Sequence, residues 1–201
     1  MKLNIQHLQR TKGKGEEYDK FLDRITDTLI EQIDNLSNIA TEFSNFAKIP
    51  RARNQVFNLA EQLQKVIELY GTHERVDIEF HANGMDYIQV KADRDQLSRA
   101  IINLVKNGIQ SIPEEREGRV DISLSRRDHM AVITVSDTGE GVPDDLRDKL
   151  FSPSFTTKTS GMGLGLSIVK NIVENFSGLI WFETEPGKGT TFFIEIPVWS
   201  E

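Results

Sequence analysis

The pattern that most constrains this chain is a helical stripe that stops at a proline. Apolar residues recur at Phe21, Leu22, Ile25, Leu29, Ile33, Leu36, Ile39, Ala40, Phe43, Phe46 and Ala47, in steps of three and four, up to Pro50. Kept up for about seven turns with Asp, Glu, Lys and Asn between, this spacing builds one face of a long helix suited to a coiled coil or bundle. Packing on the chain's own globular part and packing in an intermolecular bundle are both compatible with it. Proline lacks a backbone donor and clashes with the preceding turn, so the helix ends there. Ahead of the stripe, Thr11-Lys12-Gly13-Lys14-Gly15 reads as a loop, and residues 1–10 as a short helix lying antiparallel to the long one. Met1-Lys2-Leu3-Asn4-Ile5 has no capping residue before it and reads as the middle of a helix. Two such hairpins make a four-helix bundle.

Beyond Pro50 the pattern changes to alternating helices and strands, which predicts an α+β domain over 50–201 after a helical hairpin over 1–49. Helices are expected at Leu59 to Tyr70 and Asp93 to Ser111, with Asp93 as cap, and again up to Phe176. Strands are expected at Val76 to His81, Tyr87 to Lys91, Val120 to Ser125, Ala131 to Ser136, Leu179 to Glu183 and Thr191 to Pro197. Between them runs a glycine-rich stretch from Thr138 to Gly165 with little periodicity, and a loop of that length in a compact domain is usually functional.

Composition narrows the chemistry. With no Cys, the chain has no disulfides, thiolate metal sites or cysteine nucleophile, so a metal would need oxygen ligands or the four His. A net charge of −7 without a dominant Lys/Arg cluster argues against a nucleic-acid partner. No apolar run approaches the roughly 20 residues that cross a bilayer, and the amino terminus lacks the build of a signal peptide. The chain reads as cytoplasmic, and any membrane attachment would come through upstream segments of a longer protein.

Four segments in a fixed order carry the candidate site. In the first, Asn103 and Asn107 lie one turn apart, so their amides share a helix face while Leu97, Ile101, Leu104 and Val105 serve the core. Neutral carbonyl oxygens can complete a Mg²⁺ shell already holding anionic phosphates. Two such Asn alone are more often solvated surface. The second segment, Asp137-Thr138-Gly139-Glu140-Gly141, leaves a strand with a carboxylate and two glycines. It is either a plain turn or a place where Asp accepts a hydrogen bond from an exocyclic amine while backbone approaches a flat base. The third puts Phe151 and Phe155 in a polar loop, as a docking surface or a lid anchor. The fourth, Gly161-Met162-Gly163-Leu164-Gly165, precedes an apolar helix whose first N–H groups and dipole favour phosphate.

Taken together, these segments resemble the GHKL ATP-binding superfamily and, within it, the sensor histidine kinases, from about Asn54 to Val198. Asn103 to Asn107 is similar to the N box, Asp137 to Gly141 to the first glycine box, Phe151 to Phe155 to the F box, and Gly161 to Gly165 to the second glycine box. Gly189-Thr190 resembles the closing strand whose Thr helps hold adenine. The resemblance implies a two-layer α/β sandwich, a mixed sheet with helices on one face. It implies ATP and Mg²⁺ as cofactors, with Asn107 the main metal ligand and Asn103 assisting, and Asp137 on the adenine amine. Gly139 and Gly141 would line the base, and Gly161, Met162, Gly163, Leu164 and Gly165 would cradle phosphates. Lys158 reads either as a γ-phosphate contact or as a solvated loop lysine.

Departures from the pattern are informative. In the superfamily's ATPases a Glu one turn before the metal-binding Asn activates water, and here that position is Asn103, a poor general base, as suits a kinase. Gly108 stands where Ala is usual and Met162 where Thr is frequent. The acceptor-His motif of these kinases is missing: His7, His73, His81 and His129 all lie in other contexts. Residues 26–50 resemble the second dimerisation helix of nitrogen-regulation-type kinases, so the acceptor His is expected upstream of Met1. The expectation is a catalytic core that binds Mg-ATP, does not phosphorylate itself, and belongs to a homodimer relaying phosphate to a response regulator receiver domain. A serine kinase of the same fold, or a nucleotide-sensing binding module without kinase activity, are the alternatives.

Overall fold

The computed structural model describes residues 20, 22–30, 32–33, 36–37, 52–70, 75–153 and 163–200. The expected short helix, the glycine loop and the boundary at Pro50 lie outside them. The chain divides into two compact units, and the described residues up to 37 belong to one while those from 52 onward belong to the other. In the first unit the described residues are helical. Ile25 is buried, Leu22 and Leu29 are half-buried, and Ile30, Ile33 and Leu36 are exposed. None of the described helices is long and apolar enough to cross a membrane.

The second unit opens with β1 (Gln55–Asn58), which runs directly into α1 (Leu59–Glu68). Asn58 makes that corner: its Oδ1 accepts from Ala60 N and Ile88 N, both at 3.2 Å, and its Nδ2 donates to Asp86 O at 2.9 Å. β2 (Val76–His81), β3 (Gln89–Ala92) and α2 (Arg94–Ser111) follow, then the hairpin β4 (Gly118–Arg127) and β5 (Met130–Asp137). A 3₁₀ turn (Asp144–Lys149), α3 (Gly165–Asn175), β6 (Leu179–Glu185) and β7 (Gly189–Pro197) complete it. β1 and β3 pair antiparallel as a separate ribbon. The main sheet has the order β2-β4-β5-β7-β6, antiparallel except for β2 beside β4. That parallel pair needs a crossover, which β3 and α2 supply.

Alternation along the strands separates the two faces. Val120, Ile122, Leu124, Ala131, Ile133, Val135, Phe192, Ile194 and Ile196 are buried on one face. There they meet the apolar stripes of α2 (Leu97, Ala100, Ile101, Leu104, Val105) and α3 (Ile168, Val169, Ile172, Val173), which are also buried. The opposite face carries half-buried hydroxyls, including Ser136 and Thr191 paired at 2.8 Å, and Trp181 stacked on Phe193 at 5.1 Å. The result is the expected α+β sandwich of a mixed sheet with helices on one face.

Local chemistry explains where expectation and structure differ. β1 was not expected: its four residues show no clear alternation, and what holds them is the ribbon with β3. The strand expected from Tyr87 begins at Gln89, because Tyr87 is exposed and Ile88 gives its N–H to Asn58 and accepts at its carbonyl from Leu59 N, 2.7 Å away. Asp93 caps α2 as expected, with Oδ1 accepting from Asp95 N and Gln96 N at 3.0 and 3.1 Å. Its Oδ2 also accepts from Arg53 N at 2.7 Å, tying the residues before β1 to the start of α2. Asp93→Ala removes both the cap and this tie. It is expected to lower stability by about 1–2 kcal/mol, measured by urea unfolding.

Candidate functional site

Strand register sets the site. Asp137 ends β5, opposite Val120 on β4 and Thr190 on β7, and points into the covered face, where it is buried. A buried carboxylate needs hydrogen-bond donors to offset lost solvation. Asp137 Oδ1 accepts from Gly139 N at 2.8 Å, Ser111 Oγ at 2.9 Å and Thr190 N at 3.3 Å. These donors come from the turn after β5, the last turn of α2 and the start of β7. Thr190 is buried beside it, its hydroxyl 3.0 Å from Thr184 Oγ1. Thr184 Oγ1 also faces Gly189 O at 3.0 Å and accepts from Val142 N at 2.9 Å. The carbonyl can only accept, so Thr184 gives it its one proton and Thr190 donates to Thr184, which leaves the Thr190 oxygen an acceptor.

The glycines after Asp137 are required by this packing before any ligand is considered. A Cβ on Gly139 would collide with Ser111 Oγ and stand 2.7 Å from Asp137 Oδ1. Gly141 has φ of 71°, and a Cβ there would strike Glu185 O. At Gly108 a Cβ would lie 3.1 Å from Val120 and 3.2 Å from the Asp137 Cβ, so α2 lies tight against the carboxylate's own strand.

α2 runs from this corner to a second group of residues. Asn103 and Asn107 are half-buried, and among the described residues neither amide has a hydrogen-bond partner. Gly165, the first residue of α3, packs against Asn103, whose Oδ1 would lie 3.8 Å from a Cβ added there. Among the described residues no side chain caps α3 after Leu164, and its first N–H groups have the placement that favours an anion. Gly163 just ahead has φ of 65°, and Leu164 is buried. Tyr70 donates to Ile102 O at 3.2 Å, one residue before Asn103, and burial pushes its phenol above the ordinary range.

The other segments divide between described residues and the rest. Phe151 packs edge-on against Phe182 at 5.9 Å and Phe192 at 6.4 Å, which fastens the loop to β6 and β7. Arg147 supports the same stretch by donating to Thr184 O at 2.9 Å. Phe155, Lys158, Gly161 and Met162 lie outside the described residues. Two contributors were not singled out from sequence, Ser111 and Thr184. Ser111 continues the spacing of Asn103 and Asn107 by one more turn, a signal that was present. Thr184 carried none, since its role depends on β6 lying beside β7. On the open sheet face, Glu79, His81 and Asp121 cluster at the surface, and Arg119 pairs with Asp121 at 2.8 Å.

Backbone N–H groups, amide oxygens and a buried carboxylate, set on an α+β sandwich, are groups that a purine nucleotide can engage. Residues 92–200 match the family described as histidine kinase-, DNA gyrase B-, and HSP90-like ATPase, and the chain belongs to that family. Its relatives include sporulation kinases and sensor histidine kinases. It is 35% identical over 199 residues to sporulation kinase D of Bacillus subtilis, covering 96% of this chain and 38% of the relative. It is 30% identical to the sensor histidine kinase ZraS of Escherichia coli, covering 94% of this chain and 40% of that one. The chain thus spans well under half the length of these curated relatives. The catalytic domain of histidine kinase ThkA superposes with a TM-score of 0.64 at 36% identity, over 72% of this chain and 95% of that domain. ThkA in complex with response regulator protein TrrA superposes with a TM-score of 0.71 at 30% identity, over 97% of this chain and 56% of ThkA.

Gly139→Ala tests the crowding around Asp137. The added methyl must displace Ser111 or the carboxylate, an overpacking expected to cost about 1–3 kcal/mol, read as a lowered urea midpoint, with ATP binding weakened in parallel.

Proposed function

We propose that this chain is the catalytic core of a two-component sensor histidine kinase, binding Mg-ATP and passing its γ-phosphate to a His on a dimerisation helix. The observation that carries the reading is that one face of α2 joins two groups. At one end stand Asn103, Asn107 and the start of α3; at the other stands Asp137, held by Ser111, Gly139 and Thr190. Asp137 accepts a hydrogen bond from the adenine amine, and Thr190 adds an acceptor beside it. Gly139 and Gly141 shape the wall against the base. Gly163, Leu164 and Gly165 present α3's first N–H groups to the phosphates, joined by Gly161 and Met162, while Phe151 and Phe155 anchor the loop and Lys158 meets the γ-phosphate.

The residues present fit a magnesium ion: Asn107, with Asn103 assisting, offers neutral oxygens from amides that have no other partner among the described residues. Bound there, the ion would neutralise phosphate charge. An amide at Asn103 cannot take a proton from water as a carboxylate would, so phosphate is held for a nitrogen nucleophile. In transfer, the acceptor imidazole forms a bond to the γ-phosphorus as the bond to the bridging oxygen breaks and ADP departs. The full protein works as a cytoplasmic homodimer, or as the cytoplasmic part of a membrane sensor, and a response regulator receiver domain takes the phosphate onward. The complex of ThkA with its response regulator, which this chain resembles along 97% of its length, supports that partner.

Calorimetric titration with a non-hydrolysable ATP analogue, with and without Mg²⁺, tests the reading. Binding is expected to depend on Mg²⁺, to weaken roughly ten- to a hundredfold in Asn107→Ala, as for a lost bond to a charged group, and to be nearly abolished in Asp137→Ala. The parent chain should also phosphorylate an acceptor helix supplied in trans. Failure of the parent chain to bind would refute the nucleotide pocket, and binding without transfer would favour a nucleotide-sensing module.

A further inference from the structure

We propose that Ser111 is a positioning residue for base selection, its hydroxyl fixing the orientation in which the Asp137 carboxylate meets the adenine amine; this rests on the reading of Asp137 given above. Among the interactions of Asp137, three hydrogen bonds fall on its Oδ1, and two of them are from backbone N–H groups, Gly139 at 2.8 Å and Thr190 at the longer distance of 3.3 Å. The third, from Ser111 Oγ at 2.9 Å, is made by a side chain of another element. Ser111 Oγ also lies 2.7 Å from Gly108 O, but it has one proton, and a carboxylate is the stronger acceptor. The terminal torsion of an Asp side chain is broad and weakly self-determined, so its orientation is set by its partners. Without the hydroxyl, one short bond and one long bond remain among these three.

The backbone reinforces the link. Ser111 O accepts from Glu140 N at 3.0 Å, and the turn after Asp137 is glycine at 139, where any Cβ would occupy the place of the Ser111 hydroxyl. Ser111 therefore touches both the reading carboxylate and the turn behind it. It stands one helical turn beyond Asn107, on the same face of α2, so the residue that orients the base end is rigidly spaced from the amides at the phosphate end.

A role in base selection differs from a role in stability by what it changes. Adenine presents an amine where hypoxanthine presents a carbonyl oxygen, so a well-oriented carboxylate attracts the first and repels the second. The test measures Mg²⁺-dependent affinity for ATP and for inosine triphosphate with the parent chain and with Ser111→Ala, a substitution that a helix end tolerates, alongside the melting temperature. The expected result is ATP affinity weakened about five- to tenfold, inosine triphosphate bound as before or slightly more tightly, and a melting temperature lowered by about 2–6 °C for the donor lost from a buried carboxylate, so that the ATP preference falls by about the same factor as the ATP affinity. Equal weakening of both nucleotides, or no change in either, would overturn the proposal while leaving Asp137 as the base reader. A parent chain with no preference for ATP would instead show that Asp137 does not read the amine, and the role of Ser111 would fall with it.

Discussion

A carboxylate buried at the end of a central strand is the constraint around which this domain is arranged. Asp137 cannot sit under the helical layer as an isolated charge; it needs donors, and it takes them from three separate elements. Each donor in turn fixes a piece of backbone. Gly139 sets the turn, Thr190 sets where β7 enters the sheet, and Ser111 sets how far α2 reaches. The tight approach of Gly108 to Asp137 and Val120 follows from the same demand. The glycines nearest the site therefore have a structural reason that holds in the absence of any nucleotide.

α2 acts as the beam across the site. Its apolar stripe is buried against the sheet and α3, so its position is held by the core rather than by the ligand. Asp93 fixes its start and couples it to the residues entering β1, while Tyr70 reaches its middle at Ile102. Along the remaining face, Asn103, Asn107 and Ser111 follow one another by single turns. In the function proposed above, a rigid helix with three polar residues in register would serve as a ruler between the phosphates and the base. Such preorganisation suits a reaction whose chemistry is mostly positioning and charge neutralisation.

Much of this was legible in the sequence. The helix from Asp93, with its cap and its Asn pair, the β4–β5 hairpin and the strands after α3 follow from periodicity and capping alone. What escaped had its cause in contacts between distant segments. β1 is held by β3 and by the Asn58 corner, neither of which leaves a local pattern. Thr184 matters because β6 lies beside β7 and brings its hydroxyl to Thr190. Ser111 looked like the last residue of a helix, and only the fold shows that Asp137 comes to meet it, 26 residues further along the chain. Gly139 has a further reason that the sequence does not show: beside the approach to a ligand that the sequence suggests, a Cβ there would crowd Ser111 and Asp137 themselves.

The account turns on Asp137 being the group that reads the base, with the Asn pair at the other end of the same helix face. The most direct measurement is a crystal structure of the chain with Mg²⁺ and a non-hydrolysable ATP analogue. The account predicts the exocyclic amine of adenine within hydrogen-bond distance of the Asp137 carboxylate, the metal against Asn107, and the phosphates at the start of α3. A base bound away from Asp137, or phosphates that do not reach α3, would contradict it.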